Sequence, residues 1–101
     1  MDKKQKKALR HAVRARERAE SRAAFPISAD ALAALFDALD EALSTQSCDH
    51  TRRITQAWLT RHDYPVETTL AWLDEHGGFC DCEVLGNVEQ HVSDALMDWK
   101  H

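Results

Sequence analysis

The spacing of apolar positions changes along the chain, and each change marks an element. Residues 3–24 have good helix propensity but only a thin apolar stripe: Leu9, Ala12, Val13 and Ala19. A helix polar almost all round gains little from packing, so this stretch reads as a solvated helical arm or a partly disordered one. "FPIS", Phe25 to Ser28, ends it, because Pro26 biases Phe25 away from the α region. Ser28 then offers an N-cap and Asp30 a first-turn acid. Leu32, Leu35, Phe36, Leu39 and Leu43 follow at three- and four-residue spacing, the clearest amphipathic helix in the chain. The pattern fades in "STQS", Ser44 to Ser47.

A third helix is expected to start at "CDHT", Cys48 to Thr51, and to bury Ile54, Ala57, Trp58 and Leu59. "HDYP", His62 to Pro65, interrupts it. Pro65 opens a fourth helix with Val66, Leu70 and Leu73 on one face. Gly77 and Gly78 stop that helix, Gly77 being suited to the left-handed residue that closes a helix. Beyond "CDC", Val84, Leu85, Val88, Val92, Leu96 and Trp99 again keep a helical period. Gly86 interrupts it at a cost of about 1 kcal/mol relative to Ala, so a short strand near residues 84–88 is the alternative to helix there. The expected fold is mainly α: a basic N-terminal helical arm, residues 1–24, and a compact single domain of three to four short helices, residues 25–101. Its core is expected at Leu32, Leu35, Phe36, Leu39, Trp58, Leu70, Leu73 and Val88.

Composition agrees with helix, since Ala and Leu dominate and only three Gly and two Pro occur. A chain of 101 residues makes one domain at most. It buries only about 60–70% of its unfolded surface, so a cross-link such as a metal would add noticeably to stability. No apolar run approaches the ~18 residues of a membrane span, and no apolar segment of the secretory kind follows the basic N-terminus. Three cysteines do not pair into an extracellular disulfide framework. A cytoplasmic setting with reduced thiols and no membrane partner is therefore expected. The net charge of −4 conceals a split. Residues 1–22 carry nine Lys/Arg and three acids, a net of +6, and the remainder has a net of −10.

The chemistry concentrates in two short units of the same rhythm, "CDH" at Cys48–His50 and "CDC" at Cys80–Cys82. At helix starts, Asp49 and Asp81 would cap backbone N–H groups, and the cysteines would lie in a field that favours thiolate, the form that binds zinc. Cys48, His50, Cys80 and Cys82 add up to a Cys3His zinc set, with Arg52 and Arg53 placed to offset its negative charge. C-x-C and C-x-H are tighter than the usual zinc spacing of two to four intervening residues. Two readings stand beside the metal: three buried thiols acting as small hydrophobes, and a redox pair at Cys80 and Cys82.

"CDHT" followed by "GGFCDCEVLGNV", Gly77 to Val88, resembles the bacterial domain-of-unknown-function family 2695. The resemblance covers about Phe25 to Val92. It implies that Cys48, Asp49, His50, Cys80, Asp81, Cys82 and Glu83 belong to one site, and it implies no activity. The basic arm lies outside it.

His62, His76 and His91 read as surface or helix-end residues, with His76 the one able to replace His50 as a ligand. Glu83, beside Cys82, stands where an acid near a metal-bound water would. Trp58, Trp72 and Trp99 read as core. No nucleophile with its base and no glycine-rich phosphate loop is present, which weighs against an enzyme. The leading function class is a non-enzymatic zinc-binding interaction or regulatory module, with a protein partner or a second copy as its target. The alternatives are a thiol-dependent redox protein using Cys80 and Cys82, and a nucleic-acid accessory protein whose basic arm, residues 1–22, neutralises phosphates.

Overall fold

A computed structural model describes residues 3–97, with side chains from residue 9 onward. Helix α1 runs from Lys3 to Ala23, α2 from Ala29 to Leu43, α3 from Arg53 to Arg61 and α4 from Val66 to Glu75. The last helix begins as α5, Asp81–Glu83, widens into a π-helical turn at Val84–Val88 and continues as α6, Glu89–Ala95. The mainly α expectation holds, and the strand alternative for 84–88 does not. Val84 and Val88, four residues apart, both point into the core with no exposed surface, while Gly86 faces outward. A helical turn can bury that pair on one side without burying Gly86. Trp99 lies outside the described residues.

Each helix boundary has a local cause. Ser28 caps α2 by accepting from the Ala31 N–H at 3.1 Å. Gly77, at φ +79°, closes α4: the Gly78 N–H reaches the Leu73 carbonyl at 2.8 Å and the Gly77 N–H the Asp74 carbonyl at 3.5 Å. That is the Schellman arrangement. Helix α3 ends in the same way, with Tyr64 N–H on the Leu59 carbonyl (2.9 Å) and Asp63 N–H on the Thr60 carbonyl (3.2 Å). Here Asp63 occupies the left-handed position at φ 58°. The start of α3 departs from expectation. The helix begins at Arg53, and Cys48–Arg52 is an irregular turn with His50 at φ 68°.

Leu32, Leu35 and Leu39 of α2 pack with Leu59, Leu73, Val84 and Val88, all fully buried. Trp58 and Leu70, expected inside, are only partly buried against this cluster, while Trp72, also read as core, is buried in it. Trp58 stacks on Tyr64 with centroids 5.5 Å apart. Trp72 meets Phe25 edge-on at 5.8 Å and His76 at 4.9 Å. His76 stacks on His91 at 3.9 Å. Helix α1 joins the rest through α6, where the Arg22 guanidinium donates to the Ala95 carbonyl at 2.7 Å. The molecule measures 53 × 25 × 24 Å. Among the described residues no helix is long and apolar enough to cross a membrane.

Two measurements follow from these contacts. Asp63→Gly relieves a left-handed non-glycine residue and should raise stability by about 0.5–1 kcal/mol, read as a higher urea midpoint at unchanged slope. Burial, then the His76 charge, holds the His91 pKa below its ordinary 6.5. The folded state therefore binds fewer protons at this site than the unfolded chain. Stability is fully present above about pH 6.5 and falls as pH drops through the lower folded value. Urea midpoints between pH 7.5 and 5.5 should decline more steeply for the wild type than for His91→Gln.

Candidate metal centre

The site forms where the turn before α3 meets the start of α5. Asp81 makes that junction. Its backbone N–H donates to the Thr51 carbonyl at 2.9 Å. Its carboxylate, 1% exposed, accepts from Ile54 N–H (3.1 Å), Thr55 N–H (3.0 Å) and the Thr55 hydroxyl (2.7 Å). Asp81 therefore caps α3 across a sequence distance of 26–27 residues. The residue at the α3 N-cap position, Arg52, makes no side-chain cap. Both units were expected to cap their own helices, and the outcome differs at each. Asp49 holds only its own turn, accepting from Thr51 N–H (3.0 Å), the Thr51 hydroxyl (2.6 Å) and Arg53 Nε (3.0 Å). The Thr51 hydroxyl and N–H, then Arg53, hold the Asp49 carboxyl below its usual range.

Two further groups set the loop before Cys80. Arg52 Nη1 donates to the Asp74 carboxylate at 2.7 Å, the Leu70 carbonyl at 3.2 Å and the Gly78 carbonyl at 3.3 Å. It lashes that loop to the C-terminal end of α4, where a cation is favoured. Gly78 is buried so tightly that a Cβ would meet Val88 Cγ2 at 2.9 Å and Val84 Cγ2 at 3.1 Å. Arg52 thus serves the scaffold, and Arg53 pairs with Asp49 and Gln46. The recorded bonds of both arginines go to these groups, where the sequence suggested that they offset the cysteines.

The Sγ atoms of Cys48, Cys80 and Cys82 lie within 4.8 Å of one another. They form the one such group of potential metal ligands found among the described residues. Cys80 and Cys82 sulfurs are 3.3 Å apart, and Cys80 also meets Glu83 Oε1 at 3.3 Å. Cys80 is buried, Cys48 half-buried and Cys82 exposed, so the group is rooted in the core and open on one side. His50 joins through its backbone, its N–H reaching Cys48 Sγ at 3.4 Å. Its imidazole is not among the converging ligand atoms. His76 is engaged by His91 and Trp72.

The thiols differ electrostatically. The backbone N–H groups of Cys82 and His50 draw the Cys48 pKa below its ordinary value. Burial pushes the Cys80 thiol up to about 12, where loss of hydration outweighs the Glu83 N–H at the helix start. The expected lowering thus occurs at Cys48, through local N–H groups, and is outweighed by burial at Cys80. Sequence reasoning missed the long-range pairing of Asp81 with Thr55. Its one signal was a helix whose own N-cap position, Arg52, carries no capping side chain.

The family described as "Protein of unknown function (DUF2695)" matches residues 35–87, a span containing all three cysteines. Uncharacterized protein Rv2271 of Mycobacterium tuberculosis and Uncharacterized protein Mb2294 of Mycobacterium bovis are each 43% identical over 88 residues, covering 87% of this chain and 89% of theirs. No solved structure matches the chain.

The two aspartates should separate cleanly on mutation. Asp81→Ala strands two backbone donors and a hydroxyl, and should cost about 3 kcal/mol. Asp49→Ala, on an exposed turn, should cost far less. Denaturant unfolding of the two variants measures the gap, and equal losses would contradict the capping role of Asp81.

Proposed function

The chain belongs to the DUF2695 family of proteins of unknown function, and we propose that its family segment is a zinc-binding interaction module with Cys48, His50, Cys80 and Cys82 as ligands. One observation carries the reading: three sulfurs from two segments converge within 4.8 Å. Thiolates around one zinc, each bonded at about 2.3 Å, stand about 3.8 Å apart, so small side-chain rotations suffice. Soft sulfur donors favour zinc over oxygen-seeking cations. His50, two positions from Cys48 and exposed, supplies the fourth ligand by turning its side chain toward the sulfurs. Four protein ligands leave zinc no open position, so the ion acts as a structural pin. Phe79, 58% exposed beside Cys80, is the apolar group that a protein partner or a second copy would meet. The 3.3 Å approach of Cys80 and Cys82 supports a second reading, a thiol–disulfide pair.

Metal content and chelation test this directly. Purified protein should carry about one zinc per chain. Its removal should lower the melting temperature by about 10 °C or more, since binding energy at such a site is folding energy. Cys82→Ser alters an exposed side chain and would be near neutral without a metal. It should instead lose both zinc and stability, and His50→Ala should do the same. Metal-free protein with three titrating thiols and an unchanged melting temperature contradicts the proposal. A Cys80–Cys82 disulfide, with exchange activity lost in Cys82→Ser and retained in His50→Ala, favours the redox reading.

A further inference from the structure

Helix α1 covers 21 residues, about 30 Å, and every residue from Leu9 to Glu17 is exposed. That stretch stays largely open to solvent, and a helix polar almost all round lacks the packing that normally sustains one. Its charge is one-sided in sign: residues 1–22 hold nine Lys/Arg against three acids, while the rest of the chain has a net of −10. Lys3, Lys7, Arg10 and Arg14 recur at the spacing of one helix face, and Arg16 lies off it. We infer that α1 is a docking surface for duplex nucleic acid, held to phosphates without reading sequence. The division into a binding arm, residues 1–24, and a folded body is part of this proposal, with Arg22 on the Ala95 carbonyl as the joint.

Charge complementarity selects the occupant. A duplex places one phosphate charge per ~1.7 Å of axis, and its major groove, about 12 Å wide, admits an α-helix. Basic residues around the helix then face phosphates on both groove walls. The acidic body is repelled by the same phosphates, so the arm enters and the body stays outside. Other partners fit less well. The arm has no aromatic residue to stack on single-stranded bases. Leu9 and Val13 are its only large apolar side chains between residues 9 and 23, too few to anchor an interfacial membrane helix.

Fluorescence anisotropy of the full chain with a labelled 20-base-pair DNA duplex tests the inference. With about five phosphates neutralised, log affinity should fall with log salt at a slope near −4.5, several hundred-fold between 50 and 200 mM. Arg10→Gln with Arg14→Gln, both exposed, should leave the melting temperature unchanged and flatten the slope by about 2. A scrambled duplex should bind equally well. Absence of binding at 50 mM salt, or equal slopes for variant and wild type, overturns the proposal. So does tighter binding to phosphatidylserine vesicles than to duplex. Salt-sensitive dimerisation without DNA, abolished by the double variant, would also overturn it and assign the arm to a second copy.

Discussion

A single buried carboxylate joins the parts of this molecule that sequence keeps apart. Asp81 is almost wholly removed from water, and the contacts recorded for its carboxylate are the N-terminal N–H groups of α3 and one threonine hydroxyl. Taking a carboxylate out of water is costly unless donors replace its hydration. Here three donors do so, with the positive end of α3 in place of a counter-ion. The same residue starts α5, so one side chain fixes where α3 begins and where the last helix departs. Its backbone N–H on Thr51 then sets the distance between the two cysteine-bearing segments.

The convergence of the sulfurs follows from that joint. Cys80 and Cys82 flank Asp81 in sequence, and Cys48 lies three residues before Thr51. Seating Asp81 thus brings the backbones that carry the three thiols to one junction. Arg52 and Gly78 tighten the arrangement from the other side, one by tying the loop to the end of α4 and one by letting it lie against Val84 and Val88. The centre is thus prepared by the fold, and a metal bound there would reinforce a junction that the backbone has already made.

Much of this was legible in local pattern. The Leu32–Leu39 stripe, the Ser28 cap and the Gly77 stop are each decided within a few residues, and each appears where its spacing predicts. What stayed hidden depends on residues distant in sequence. The start of α3 moved to Arg53 because its cap comes from Asp81, not from the turn that precedes it. Trp58 and Trp72 both read as core, yet only Trp72 is buried, because Phe25, His76 and His91 close over it. Residues 84–88 looked ambiguous because Gly86 lowers helix propensity, and tertiary burial of Val84 and Val88 overrode that. At the candidate site, the pairing of the two units could be read from their shared rhythm. The different environments of Cys48 and Cys80 could not, since burial is a property of the assembled fold.

X-ray absorption at the zinc edge of the protein as purified tests the central claim most directly. The account predicts a four-coordinate ion with three sulfurs near 2.3 Å and one nitrogen near about 2.0–2.1 Å. A shell of nitrogen and oxygen alone, or six-coordinate zinc without sulfur, would show that the converging cysteines do not form the metal centre.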